Sequence, residues 1–404
     1  MSRISTQALP ERLRALPGAA RLIDALGGED VVWVVGGAVR DVLLRRDPVE
    51  LDLVVEGDAP ALARRCAARL GGETTVHERF GTATVAAPGL RFDLAGARRE
   101  RYERPGALPE VELGATIDED LQRRDFTVNA IAVRLSDGEV VRHEQALEDL
   151  EARVLRVLHP RSFLDDPTRL LRLVRYVARL GFAIELETRG WAADAVGGGA
   201  LGTVTGSRLG TELRLLAREQ QPVAACGLEG LRIGPALLPG FAVDPDVIDR
   251  ALALCPPDGE RGLLTLAACC TAAKADPLSA RLDELGFPAG ERAALVDAAT
   301  RAPALAIALA DPALEQRSRL WALLRRERPE TVALAGAQGP AESARRWLED
   351  VRHVRLEISG EDLVAAGLEG PDVGRGLERA LAAALDGLAA GREEQLAAAI
   401  GADL

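Results

Sequence analysis

The sequence predicts an α+β protein, with a mixed sheet-and-helix head followed by an all-helical neck, body and tail. Three observations carry this. Short β-branched runs alternate with helical patterns over the first 150 residues or so. Strand signals stop after about residue 160. The remaining chain is crowded with Ala, Leu, Arg and Glu, and aromatics make up only 3% of the whole, which favours packed helices over a β-sandwich. At roughly 150 residues per domain, 404 residues suggest two or three domains. The expected boundaries are a head over 1–160, a neck over 161–220, and a body and tail over 221–404.

Taken in order, residues 1–30 read as a helix and a turn ending at Gly27-Gly28. The run VVWVV (31–35) is a strand, stopped by Gly36-Gly37, and a helix fits Ala38 to Arg46. A second strand fits Glu50 to Val55, and a helix fits Pro60 to Leu70. Further strands fall near Thr82 to Ala86 and Arg91 to Leu94. Arg161 to Leu180 reads as one helix, and helical patterns then continue, broken by clusters such as Gly197-Gly198-Gly199 and Cys255-Pro256-Pro257.

Composition excludes several classes of protein. A net charge of -12 argues against a generally basic nucleic-acid coat while leaving room for a local basic groove. Cys66, Cys226, Cys255, Cys269 and Cys270 form no regular framework and no C-x-x-C pair, so neither a disulfide scaffold nor a zinc site is expected. The reading is a reduced, cytoplasmic protein whose cysteines fill core space. No apolar run approaches the ~20 residues that span a bilayer, and the first residues lack a signal-peptide core. No obligate protein partner is evident.

The chemistry-bearing residues lie in the head. Gly36-Gly37-Ala38-Val39-Arg40-Asp41 sits between a strand and a helix, where backbone amides and Arg40 can face an anion. Such turns also occur for packing alone. Glu50 and Asp52 are two apart on a strand and share a face, and they repel each other unless a cation intervenes. Asp93 lies on another strand. Three carboxylates beside a phosphate-binding turn suit two Mg²⁺ ions and in-line phosphoryl transfer, whereas an isolated E-x-D is a solvated strand face.

Several segments together resemble one family. These are GGAVRD (36–41), LDLVVEG (51–57), FGTATV (80–85), DLQRRDFTVNAIA (120–132), SFLDDPTRLLRLVRY (162–176), SRLGTEL (207–213) and ISGEDLVAAGLEGPDVG (358–374). The chain resembles the class II tRNA nucleotidyltransferases and bacterial poly(A) polymerases, the CCA-adding family of the polymerase-β-like superfamily. The resemblance implies a polymerase-β-like head that adds all or part of CCA to a tRNA 3′ end from CTP and/or ATP, with Mg²⁺ as cofactor. It implies that Asp52, Asp93 and Glu50 are the catalytic metal ligands, with Glu50 standing where an aspartate is expected. It places Gly36, Gly37, Arg40, Arg124, Asp125, Asn129, Asp166, Arg169, Arg172 and Arg175 at nucleotide-binding positions, with Asp166 and Arg169 as the base-reading template.

The template has an independent rationale. Cytosine and adenine both offer an amino donor beside a ring-nitrogen acceptor, which a carboxylate and a guanidinium complement. Guanine and uracil present the opposite pattern. Asp166 and Arg169 are spaced i, i+3, and Arg169, Arg172, Arg175 and Arg179 follow at helical spacing. The same residues also fit a helix start capped by Asp165 with a solvated arginine face. A poly(A) polymerase and a silent tRNA-end-binding paralogue remain open alternatives. Glutamate at position 50 keeps the charge but moves the carboxylate by one methylene, and Mg²⁺ demands near-octahedral geometry. Glu50→Asp is therefore expected to raise the rate of labelled CTP or ATP incorporation into tRNA, and an unchanged rate would reject metal geometry as the limit.

Overall fold

The computed structural model of the chain describes residues 4, 6–28, 31–48 and 51–401. Glu50, the first of the three expected acids, lies outside the described residues. The chain divides into two compact units, Met1–Thr205 and Gly206–Leu404. The first is mixed and the second helical, in agreement with the α+β expectation.

Among the described residues before position 150, nine strands build the first unit: β1 (Val32–Val35), β2 (Asp52–Val55), β3 (Glu73–His77), β4 (Thr82–Ala87), β5 (Leu90–Gly96), β6 (Arg98–Arg101), β7 (Glu110–Leu113), β8 (Ile131–Arg134) and β9 (Val140–Arg142). Seven of them pair in the order β3-β4-β5-β2-β1-β8-β9, and β6 and β7 form a separate antiparallel pair. Only β2 and β5 run parallel within the seven, which makes the sheet mixed. β1 is buried along its whole length, as the unbroken apolar run VWVV demands of a central strand. Trp33 and Val35 on β1, Val54 on β2 and Ala132 on β8 join Ile117 and Leu121 in one core cluster. The strands β3, β6, β7, β8 and β9 were not expected from the sequence, because their runs are short and carry charges or alanines that blur a period-two pattern.

The helices of this unit are α1 (Leu9–Arg14), α2 (Ala19–Leu26), α3 (Gly37–Leu43), α4 (Ala59–Leu70), α5 (Ile117–Gln122), α6 (Ala146–Ala152), α7 (Ser162–Asp165), α8 (Thr168–Leu180) and α9 (Leu186–Gly197). The single helix expected near the N-terminus is two, divided before Gly18, whose φ of 80° is left-handed. The expected helix over 161–180 is also two. Asp166 is extended, at φ -133° and ψ 92°, because the following proline disfavours the helical region for it. A short parallel pair, Val154–Leu155 with Ala183–Ile184, adds a strand beyond residue 160.

The second unit contains helices throughout, with Pro329–Gln338 buried from Glu330 to Ala337 on all sides. That helix is small and apolar (TVALAGA), so its neighbours approach closely. Cys269 and Cys270 are buried in this unit, and burial pushes the Cys270 thiol up to about 12, whereas Cys226 is exposed and does not fill a core. No helix among the described residues is long and apolar enough to cross a membrane.

The tail helix Pro371–Leu385 packs over Leu363 and Ala399 and carries two glycines with opposite surroundings. A Cβ on Gly376 would lie 2.5 Å from Leu363 Cδ2 and 3.2 Å from the Ala399 carbonyl, while a Cβ on Gly374 meets nothing within 4 Å. Gly374→Ala is expected to stabilise this unit by about 0.5–1 kcal/mol through helix propensity, and Gly376→Ala to destabilise it by about 1–3 kcal/mol through overpacking. Denaturant midpoints of the two variants check the opposite signs.

Candidate active site

The two expected acids that fall within the described residues meet across the one parallel pairing of the sheet. Asp52 on β2 is the register partner of Asp93 on β5, so their side chains leave the same face. Thr84, the partner of Asp93 on β4, donates through Oγ1 to Asp93 Oδ1 at 2.5 Å. Asp52, Thr84 and Asp93 therefore form a row across three adjacent strands. They line a cavity of about 370 Å³ with His77, Arg123 and Arg124. Among the described residues no group of three or more acids, histidines or cysteines is gathered for a metal ion. Two neighbouring carboxylates on one face, one of them accepting a hydroxyl proton, nevertheless supply the hard oxygen donors that a divalent cation takes.

A second cavity, of about 280 Å³, is lined by Glu100, Tyr102, Arg123, Arg124, Asp125, Asp166, Arg169 and Arg172. Arg123 and Arg124 belong to both cavities and form their common wall. These arginines follow α5, whose start is fixed by a capping box. Thr116 accepts from the Glu119 backbone, and the Glu119 carboxylate accepts from the Thr116 amide at 2.9 Å. Asp120, fully buried near the end of α5, accepts from Arg123 Nη2 at 2.8 Å and Arg124 Nη2 at 3.1 Å. Burial opposes its charge, yet the two guanidinium groups hold its carboxyl below the usual range. Arg124 is pulled below its ordinary value by burial, against the pull of Asp120. Arg123 also reaches Glu100 on β6 at 3.0 Å, and Glu100 accepts from the Tyr102 hydroxyl at 3.1 Å.

Gly36 makes room for this wall. Its φ is 68°, and a Cβ there would lie 2.7 Å from Arg124 Nη1. Gly37 carries no such constraint, since a Cβ would make ordinary contact with Arg40.

Asp125 lies at the centre of a buried polar chain. Its Oδ1 accepts from the Phe126 amide and from Asn129 Nδ2, both at 2.9 Å. Its Oδ2 accepts from Arg172 Nη2 at 2.6 Å and Nε at 3.0 Å. Asn129 Oδ1 in turn accepts from Arg40 Nη1 at 2.7 Å, and Arg40 Nε donates to Asp41 at 2.8 Å. Burial would raise the Asp125 carboxyl, but the Arg172 charge and the hydrogen bonds from Asn129 and Arg172 hold it at about 2.

The expected template is assembled differently from the helical face read in the sequence. Asp166 precedes α8 and caps it, with Oδ1 accepting from the Thr168 amide at 3.1 Å and the Thr168 hydroxyl at 2.7 Å. The alternative helix-start reading had Asp165 as the cap, whereas Asp165 ends α7 and the chain breaks at Asp166-Pro167. Arg169 is buried, donating to Ser162 Oγ at 2.5 Å and to the Arg123 carbonyl at 2.7 Å. Both residues still line the second cavity with Arg172.

The expected arginine stripe divides. Arg169 and Arg175 are buried, Arg172 is half-buried and Arg179 is exposed, so it is not a uniformly solvated face. Among the described residues Gly36, Gly37, Arg40, Asn129 and Arg175 line neither cavity. Arg40 in particular is turned inward to Asn129 and Asp41. Sequence reasoning missed Thr84, Glu100, Tyr102, Asp120 and Arg123. Thr84 and Arg123 stood inside motifs already singled out, while Glu100 and Tyr102 lie on an unexpected strand and just beyond it.

The low Asp125 carboxyl generates a pH prediction. A group whose folded value is depressed adds stability above its unfolded value, near 4, and loses it as pH falls towards about 2. Asp125→Asn is expected to lower the melting temperature at pH 7 and to flatten its fall between about pH 4 and 2. Melting curves of both proteins across that range check this.

Comparison with known proteins extends the site to a family. Residues 32–156 match the model of the poly(A) polymerase head domain. The chain is similar to the A-adding tRNA nucleotidyltransferase of Geobacter sulfurreducens, 32% identical over 394 residues, which is 91% of this chain and 45% of that protein. It is 42% identical over 220 residues to the CC-adding tRNA nucleotidyltransferase of Deinococcus radiodurans, covering 53% of this chain and 57% of that protein. The chain thus spans about half the length of these curated relatives. Among solved structures it is similar to a CCA-adding enzyme in an apo form, with a TM-score of 0.80 and 30% identity over 95% of this chain and 98% of that one. Agreement at this identity, across both the sheet unit and the helical unit, makes the chain a member of the tRNA nucleotidyltransferase and poly(A) polymerase family, whose chemistry is metal-dependent.

Proposed function

We propose that this protein transfers nucleotides from CTP and/or ATP to the 3′ end of tRNA, completing all or part of the CCA terminus. The observation that carries the reading is the common wall. Arg123 and Arg124 separate a cavity holding two adjacent carboxylates from one holding Asp166, Arg169 and Arg172. A nucleoside triphosphate has the same two-part chemistry, a polyanion needing cations at one end and a base edge needing a donor and an acceptor at the other.

In this reading the tRNA 3′ oxygen attacks the α-phosphorus. The new O–P bond forms as the bond to the β-phosphate oxygen breaks, and pyrophosphate leaves. Asp52 and Asp93 would hold Mg²⁺, which when bound offsets phosphate charge and lowers the pKa of the attacking hydroxyl. Glu50 would complete the set. Thr84 orients the Asp93 carboxylate through its hydrogen bond. Asp166 keeps one carboxylate oxygen on its helix cap and would use the other to accept from the amino group of cytosine or adenine. Arg169, fixed by Ser162 and the Arg123 carbonyl, would donate to the ring nitrogen. Arg172 would keep its place beside the nucleotide through Asp125. Gly36, Gly37, Arg40, Asn129 and Arg175 support the site from behind the cavities. Action in the cytoplasm is part of this reading.

The test is incorporation of labelled CTP and ATP into tRNAs ending before the first C, before the final A, and at the mature end. Incorporation on the first two substrates identifies a full CCA-adding enzyme, and on one alone a partial one. ATP incorporation on unrelated RNA ends would favour a poly(A) polymerase, and tRNA binding without incorporation would overturn the proposal. Asp52→Asn and Asp93→Asn are each expected to lower the rate by about 10³-fold, since a lost metal ligand removes several kcal/mol of transition-state stabilisation. Filter binding should show tRNA affinity retained in both variants.

A further inference from the structure

The polar chain through Asp125 does not end at its arginines. Arg40 and Arg172, at its two sides, both converge on the ring of Tyr176 on α8. The Arg40 guanidinium carbon lies 5.3 Å from the ring centroid, and that of Arg172 lies 5.7 Å away. Arg175 comes third at 5.5 Å. Phe126 meets the ring edge-to-face, with centroids 5.5 Å apart and planes at 81°. Arg40, Asn129, Asp125, Arg172 and Tyr176 therefore close into a circuit of five links, three polar or ionic and two made through the aromatic ring. It ties α3, the segment before β8, and α8 to one another.

We propose that Tyr176 is a positioning residue for nucleotide binding, its π-face holding the Arg172 guanidinium at the wall of the second cavity. The proposal rests on the function proposed above. Arg172 has Asp125 on one side and the ring on another, and it lines the cavity with Asp166 and Arg169. A guanidinium held from two directions keeps one orientation, so the nucleotide pays less of the ordering cost on binding. The ring also accommodates three like charges close together, because its negative π-faces attract them. An aliphatic side chain of similar volume would fill the space without that attraction. Tyr176 touches neither the metal carboxylates nor, among the lining residues, either cavity, so its effect falls on affinity for the nucleotide rather than on the bond-making step.

The experiment uses the full chain and separates electrostatics from packing. Tyr176→Phe keeps the π-face, and phenylalanines carrying one, two and three ring fluorines at the same position drain it stepwise with little change of shape. Each protein is assayed for nucleotide and tRNA KM, for kcat and for melting temperature, with equilibrium titration of CTP and ATP alongside. Tyr176→Phe is expected within about twofold of the unaltered protein, and the nucleotide KM to climb with each fluorine to about fivefold at three. The tRNA KM and melting temperature should hold. A nucleotide KM that stays flat across the series, or one that rises together with the tRNA KM, would overturn the proposal. If the unaltered chain incorporates no nucleotide, the functional reading fails by itself, and the titrations still decide whether the ring governs nucleotide affinity.

Discussion

A charged carboxylate buried at Asp125 is the constraint around which the first unit is arranged. An isolated buried carboxylate would neutralise rather than pay several kcal/mol of desolvation, so it must be surrounded by donors. Here the donors come from three places in the chain: the adjacent backbone amide, Asn129 four residues on, and Arg172 on α8. The Asn129 amide is held with its nitrogen toward Asp125 because its carbonyl oxygen accepts from Arg40 on α3. One buried charge thus fixes the relative placement of a strand–helix turn, a short loop and a helix. Breaking such a set by removing one member characteristically costs about 3–5 kcal/mol, because a charge is left buried without its partner.

A second buried carboxylate repeats the arrangement one turn earlier. Asp120 gathers Arg123 and Arg124, and Glu100 steadies Arg123 from β6. The consequence is a partition made of guanidinium groups, each anchored to a buried carboxylate and lining both cavities. Guanidinium groups, each paired with a carboxylate, are in this way gathered between the two cavities of a protein whose overall charge is -12. Arginines of the helical unit form ion pairs as well. In the helical unit Arg317 pairs with Asp350, Arg328 with Asp297, Arg345 with Glu342 and Arg352 with Asp258. Asp350, Asp297 and Asp258 lie far along the chain from the arginines they pair with, and Glu342 lies three residues before Arg345. Of the tryptophans beside these arginines, Trp347 is buried in the core and Trp321 is half-buried.

The division between α7 and α8 shows how one residue can serve two demands. Asp166 precedes a helix whose first turn needs a hydrogen-bond acceptor, and it satisfies Thr168 with one carboxylate oxygen. Pro167 enforces the extended backbone that presents it there. The helix-start reading and the template reading of this segment are therefore compatible. Capping orients the carboxylate, and burial of Arg169 against Ser162 and the Arg123 carbonyl orients its neighbour.

Much of this protein is legible in its sequence. The alternation of apolar runs with Gly-bounded helical segments specified a mixed head and a helical remainder, since periodicity follows directly from which face each residue must bury. Asp52 and Asp93 were read on two separate strands, and only the tertiary structure made them register partners. The linear pattern did not carry the short charged strands β6 and β7, which are held by pairing rather than by an apolar face. It also misassigned the environment of arginines. Arg40 and Arg175 are chemically identical to exposed arginines, and only long-range packing decides which guanidinium is enclosed. Spacing along a helix sets which side chains are neighbours. The acceptors that hold these guanidinium groups lie 47 residues away in the case of Arg172 and the Asp125 carboxylate, and 89 in the case of Arg40 and the Asn129 amide oxygen, so folding in three dimensions had to bring them together.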